Sequence, residues 1–464
     1  MRKILILTLI LITLTGWGAK KYVTSTGSDS GNGTKQSPWA TIYKAVQSTN
    51  VPDTIMIGSG LTITSACYVK PGVSVIGTGY AINCSGTSSN LVFGSQTVTD
   101  GNQTVEGLIM EGNMKGYSGI FVQNRNHVTI KNCTVRNFIN QGITLYNPGV
   151  EIPPKISGCI VQDNQVINCS RYYAPGSGGA LWITGQRDIL IRGNRVINTF
   201  RSGDSTGFAF KSSYLMSALM DSNSFKIIGH DDNFRWAFAV EANNNCGGVE
   251  FSNDTIQGVF DIAGKRSTGV SVHGCVIGHP VLTRYIQTGI YLEANNEISD
   301  IRIYDNTIQN VCYALRFTPQ YPGSIAQRIY IYNNTFSNIG ILGVSNGYGI
   351  YSVGSSSTAI VRDVCIDDNI FIASTGNTQV TAISLPHSCI VSNFRIRNNL
   401  ITGFENAPII TQGGYPKGRI DGLVIQDNVF YDNGNGNNPK WWGEIPTQIT
   451  NTGNLKGGSV KFVY

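Results

Sequence analysis

Two stretches of the chain share a pattern of residues that could do chemistry. "RWAFAVEANNNCGGVEFSNDTI" (235–256) and "QTGIYLEANNEISDIRIYDNTI" (287–308) each place a glutamate, Glu241 and Glu293, after an alternating apolar run. Asp261 lies between them in "VFDIAG", and Lys211 precedes them in "GFAFKS". Two carboxyls at a fixed separation are what glycoside hydrolysis requires, one as acid and one as base or nucleophile. β-Elimination from a uronic acid uses different groups. Lys211 would take the C5 proton, and a cation such as Arg316 in "CYALRF" would neutralise the sugar carboxylate. Trp182, Tyr291 and Tyr351 would offer flat faces to sugar rings. The loop "GHDDNFRW" (229–236) brings His230, Asp232 and Arg235 to the approach to Glu241.

The elements that must position these groups come from a repeat. Eight-residue windows stack in register: VTIKNCTV (128), CIVQDNQV (159), ILIRGNRV (189), ALMDSNSF (218), VEFSNDTI (249), VSVHGCVI (270), IRIYDNTI (301), IYIYNNTF (329), VCIDDNIF (364), FRIRNNLI (394) and LVIQDNVF (423). Positions three and eight are apolar in every window, and position six is Asn except at Cys133, Asp254 and Cys275. The early alternation predicts a strand, and the Asn predicts a turn whose amides can bond to one another along the stack. A second strand follows in each period: GITLYN (142), ALWITG (180), GFAFKS (207), AFAVEA (237), VFDIAG (259), GIYLEA (289), CYALRF (312) and GIYSVG (349). Strand, Asn turn, strand and loop, without helical segments between, predict an all-β solenoid of stacked parallel strands, about a dozen coils in one domain.

On the second strand, positions two and four are expected inward and positions three and five toward solvent. Position five then gives Tyr146, Thr184, Lys211, Glu241, Ala263, Glu293, Arg316 and Val353, so ionisable residues gather on successive coils. With neighbouring strands about 4.8 Å apart, Glu241 and Glu293 are expected roughly 9 to 10 Å apart, near the upper inverting limit. Either glutamate with Asp261 falls near the retaining value. Crowding should raise a carboxyl pKa, as a general acid requires. The same charges, Lys211 beside Glu241 and Glu293 beside Arg316, also fit a stabilising cross-strand ladder with no catalysis.

The chain resembles the right-handed parallel β-helix proteins of the pectate lyase-like superfamily. Its opening "YVTSTGSDSGNGTKQSPWATIYKAVQ" (22–47) is similar to the segment that precedes a short capping helix in secreted members. "DTIMIGSG" and "YVKPGVSVIGTG" match their first coils. The resemblance implies the fold for nearly the whole chain; members include lyases, hydrolases, esterases, depolymerases and adhesins, so it implies no single chemistry. The stretch around Lys211 resembles the lysine turn of chondroitinase B-like and alginate lyases. Where those enzymes place an arginine motif one coil later, this chain has "FAVEAN".

Charged residues are 13% of the chain and the formal charge is +6, too mild to require nucleic acid as a partner. "MRKILILTLILITLTGWGA" reads as a secretory signal over 1–19, with no membrane span after its removal, followed by one domain over 20–464 with caps at 20–60 and 431–464. The destination would be extracellular, periplasmic or the cell surface. Ten cysteines show no zinc spacing; Cys67 and Cys84 are the best candidates for a bridge. No cofactor is required, although Asp261 and the glutamates could hold Ca²⁺. His273 is expected on the surface, and "KWWGE" (440–444) is expected to cap the open end. The reading is a polysaccharide hydrolase; the open alternatives are a lyase with Lys211 as base, or a non-catalytic glycan-binding adhesin.

Overall fold

In the computed structural model the described residues are 18–456, apart from 89, 149–151, 171–177, 200–207, 229–237, 280–287, 341–346, 355, 377–378, 412–418, 434–439 and 442–448. The predicted signal segment therefore lies almost wholly outside them. The strands form a 27-stranded and a 15-stranded sheet. Each strand pairs in parallel with the equivalent strand of the neighbouring coils, as at Thr307–Val311 with Val276–Gly278 and with Thr335–Ile339.

One coil shows how the pattern works. Thr288–Tyr304 runs along one face as residues 288–294, pairing with Val259–Thr268 and Tyr313–Pro319. It then bends onto a second face, where 297–304 pair with Ile325–Tyr332. After the Asn306 turn, Thr307–Val311 forms the third face, in the smaller sheet. The coil thus has three strand segments, where two were expected. The end of each eight-residue window begins a strand of its own, whose inward residue at position eight, such as Ile308 or Phe336, is fully buried.

The turn itself divides labour differently from the expectation. The unusual dihedral falls on position five, where Asn132, Asp163, Ser222, Asn253, Asp305, Asn333, Asp368, Asn398 and Asp427 all have φ between 53° and 58°. Asn, Asp and Gly tolerate this left-handed region best, which explains their recurrence there. Position six has the other role. Each Asn turns inward and builds the axial ladder: Asn334 donates from its backbone N and Nδ2 to Asn369 Oδ1 at 3.0 Å, and from Nδ2 to Ile303 O at 2.8 Å. The amides satisfy buried turn backbone that no strand partner reaches.

Inward positions form one continuous core, including Phe260, Ile262, Ile290, Leu292, Leu315 and Phe317. Like residues stack on like, as Phe336 on Phe371 with centroids 4.6 Å apart. Such a pair adds about 0.5–1.5 kcal/mol beyond its burial. The one helix among the described residues, Ile42–Ser48, is capped by Thr41, whose side chain accepts from Lys44 N. It buries Ile42, Ala45 and Val46 against the first coils, as the opening segment predicted. Cys67 and Cys84 are both buried but unbridged, and all ten cysteines are free thiols. All but the half-buried Cys365 are buried and pack as small hydrophobes.

Candidate active site

The predicted residues converge on the face formed by Phe210–Asp221, Phe238–Asn243, Val259–Thr268, Thr288–Tyr304, Tyr313–Pro319 and Gly347–Val353. Pairing runs Thr144, Trp182, Lys211, Glu241, Asp261, Tyr291, Arg316, Tyr351 in one outward column. Seven of the residues singled out from sequence thus share a line. Glu293 is the exception: it stands in the next column, opposite Ala263 and Thr318.

This corrects the expected geometry. Glu241 and Glu293 are not in one column, and Arg316 faces Tyr291 and Tyr351 rather than Glu293. A slip of two residues leaves the inward and outward alternation unchanged, so the periodic pattern cannot register it. The bulge between Phe238 and Val240 adds to the shift. From strand spacings, the Cα positions of Glu241 and Asp261 are about 5 Å apart, those of Asp261 and Glu293 roughly 8 Å, and those of Glu241 and Glu293 roughly 12 Å.

Lys211 Nζ lies 2.9 Å from Glu241 Oε2 and 4.4 Å from the centroid of the Phe208 ring. Glu241 Oε1 accepts from Asn243 Nδ2 at 2.6 Å, while Oε2 has the ion pair but no well-aligned hydrogen bond. Glu241, Asp261 and Tyr291 are 6%, 3% and 5% exposed, although their positions face away from the core. Asp261 is short and sits between longer side chains on both neighbouring coils, which explains its cover. Burial pushes its pKa well above the carboxylate range; the charges of Glu241 and Glu293 raise it further, and Lys211 opposes them. Its Oδ1 has no hydrogen-bond partner among the described residues.

Glu293 remains partly open and is also raised, first by burial and then by the charge of Glu241. A hydrogen bond from Asn295 and the charge of Arg316 pull the other way. The Arg316 guanidinium lies 5.2 Å from the Tyr291 ring centre and 5.9 Å from that of Tyr351. Its Nε donates to Thr318 Oγ1 at 3.3 Å, and Gln320 Nε2 donates to the Tyr291 hydroxyl at 3.1 Å. Aromatic side chains flank the charges on both sides: Phe121, Tyr146 and Trp182 in sequence, with centroids 6.1 and 5.3 Å apart, and beyond Arg316 the cluster of Tyr313, Tyr348 and Tyr351.

Asn243 and Asn295 were not singled out from sequence, yet the signal was present. Both glutamates open the same tetrapeptide, Glu-Ala-Asn-Asn. In each copy the first Asn, two residues on and on the same side of the strand, donates to the Glu carboxyl. His230, Asp232 and Arg235 lie outside the described residues. His273 is half-buried rather than a free surface group, stacked on Tyr304 with its Nε2 2.9 Å from Glu250. Lys440–Trp441 adds a short strand beyond Ala407–Thr411, and the rest of "KWWGE" is outside the described residues. Among the described residues no three His, Cys, Asp or Glu side chains form a group suited to a metal ion. Of the residues named for Ca²⁺, Glu241 is already engaged by Lys211 and Asn243, and Glu293 stands in the next column.

The chain aligns over most of its length with solved structures, at low scores and low identity. The complex of XylC with xylose superposes with a TM-score of 0.46 at 11% identity, covering 78% of this chain and 87% of that one. The tailspike of E. coli bacteriophage HK620 with a pentasaccharide gives 0.45 at 11%, covering 86% and 73%. The A-module of the Azotobacter vinelandii mannuronan C-5 epimerase AlgE6 gives 0.39 at 12%, covering 90% and 94%. No protein-family model and no curated protein matches the chain. The fold is a parallel β-helix. These likenesses concern that fold alone; the chemistry of the β-helix described here rests on its own side chains.

Proposed function

We propose that the protein hydrolyses glycosidic bonds of a polysaccharide lying along this face, with Glu293 as general acid and Glu241 as base. The observation that carries this reading is Glu293. It is a partly open carboxyl whose acid form is favoured by burial and by a second glutamate's charge, on a face that carries aromatic side chains at both ends. In the reaction Glu293 gives its proton to the glycosidic oxygen as the bond to the anomeric carbon breaks. Glu241 takes a proton from the water that attacks that carbon from the opposite side. The Cα positions of the two glutamates stand roughly 12 Å apart, so an inverting pair, with about 6.5–9.5 Å between carboxyls, requires their side chains to lean toward each other. Asp261 lies on the coil between them, and its burial together with the charges of Glu241 and Glu293 raises its pKa. Export to the cell surface, periplasm or medium fits a polymeric substrate and is part of this proposal.

Lysis with Lys211 as base is disfavoured by its 2.9 Å ion pair with Glu241, which occupies the amine that would have to reach the C5 proton. The test is digestion of neutral and acidic polysaccharides, following reducing ends and ultraviolet absorbance. New reducing ends without unsaturated product, lost in Glu293→Gln, support the proposal. Unsaturated product would replace it with lysis, and binding without cleavage across the panel would replace it with a glycan-binding role.

A further inference from the structure

The second Asn of each Glu-Ala-Asn-Asn copy has no part in the mechanism above. Asn244 and Asn296, with Lys265, Asn295, Tyr321 and Ser324, line a cavity of about 560 Å³ at the edge of the site face. Its size lies within the range of sugar and small-ligand sites. The chain is shaped around it. A β-bulge between Gly264 and Arg266 breaks the pairing with the next coil and turns Lys265 outward. Gly264 has φ +113°, and a Cβ there would meet Asn244 N at 2.3 Å and Asn243 Oδ1 at 2.8 Å, so the bulge requires glycine. Ser324 Oγ donates to Asn295 O at 3.3 Å and accepts from Tyr321 N at 3.0 Å, fixing the turn that holds Tyr321 over the opening, 54% exposed.

The cavity adjoins the carboxylates through shared residues. Asn295 hydrogen-bonds Glu293 on one side and lines the cavity on the other, with its Oδ1 lacking a partner among the described residues. Gln320, next to Tyr321, links the same turn to the Tyr291 hydroxyl. Lys265 is exposed and makes no ion pair among the described residues. Amides for hydroxyls, an exposed phenol ring for a pyranose face and an exposed ammonium for an anion define a ligand chemistry.

We propose that this cavity is a second sugar subsite, beside the cleavage point, for a unit carrying an acidic substituent that Lys265 pairs with. The inference rests on reading the site face as a glycan groove. The acidic group could be a carboxylate or a sulfate ester, and the probes separate the two.

The experiment measures binding of methyl β-glucuronide, glucose 6-sulfate and methyl β-glucoside to the full chain by ligand-observed NMR, in wild type, Lys265→Met, Tyr321→Ala and Glu293→Gln. One acidic probe should bind about tenfold more tightly than the neutral glucoside, the size of one charge-assisted hydrogen bond. Lys265→Met should erase that preference, Tyr321→Ala should weaken all binding, and Glu293→Gln should retain the preference. Equal binding of acidic and neutral probes, no binding of any, or a preference that survives in Lys265→Met overturns the subsite. If the preference depends on Lys265 but no polysaccharide is cleaved, the hydrolase proposal fails while the subsite stands. If cleavage depends on Glu293 but the probes show no preference, the reverse holds.

Discussion

Lys211 and Glu241 occupy directly paired positions on adjacent coils, with Nζ and Oε2 2.9 Å apart and only 19% and 8% of their side chains exposed. A pair this covered gains more from its partner than a surface bridge, because either charge alone would be stranded away from water. The pairing also separates the two glutamates by role, one ion-paired and one whose acid form is favoured.

Removing one partner should therefore be costly, and removing both should not. Lys211→Met is expected to lose about 3–5 kcal/mol of stability. The double variant Lys211→Met/Glu241→Gln should recover most of it, a coupling read from denaturant unfolding of the four proteins. Equal loss in the single and double variants would mean that packing of the lysine stem, not charge pairing, is what matters.

Glu293 should titrate above the ordinary glutamate value, since burial and the Glu241 charge both raise it. The activity would then persist to higher pH before its alkaline limb falls, because that limb reports loss of the acid's proton. Glu241→Gln removes a negative neighbour, so the Glu293 midpoint should move down, measured by ¹³C NMR of labelled glutamate. Glu293→Gln should lower the turnover rate by about 10²–10⁴-fold with the fold intact.

Asp254 occupies an Asn position of the ladder. Asn223 donates to its Oδ1 from both its backbone N and Nδ2, but Oδ2 is buried without a hydrogen-bond partner. Burial pushes its pKa up to about 7 from 3.8, opposed by the Asn223 hydrogen bonds. Between those values the native state holds a proton that the unfolded chain releases. Stability therefore falls as pH rises through this window and is flat above it. Asp254→Asn restores the missing amide and should stabilise the protein by up to about 4 kcal/mol above pH 7, with little gain near pH 4. Thermal unfolding of both proteins across pH tests this, since the difference between them isolates the one group.

The ladder itself should be strongly cooperative with the fold. Asn369→Ala removes the Oδ1 that accepts from the Asn334 backbone N and Nδ2, and the Nδ2 that donates to the carbonyls of Ile331 and Asp367; Asn399 Oδ1 keeps only the bond from the backbone N of residue 369. A loss of about 3 kcal/mol or more is expected, because buried polar groups left unpaired cost about 1–3 kcal/mol each. Unfolding by denaturant gives the value, and a change below about 1 kcal/mol would mean that water replaces the amide.

The repeat was legible in the sequence because its causes are local. Apolar positions three and eight must fill a core, position five must adopt a left-handed dihedral, and position six must satisfy turn backbone; each demand selects a residue type in every coil. The gathering of Lys211, Glu241, Asp261 and Glu293 on one face was legible for the same reason. Only the tertiary structure decided their register. Outward positions recur every two residues, so Glu293 could stand in line with Glu241 or one dipeptide away without altering the pattern, and the bulge at Phe238 and the pairing of whole coils made the choice. The structure likewise decided that Asp261 is buried, that Lys211 is paired with Glu241, and that the second Asn of each motif lines a cavity. These depend on which side chains lie on neighbouring coils, some twenty to thirty residues away along the chain, and a periodic pattern carries no information about that choice.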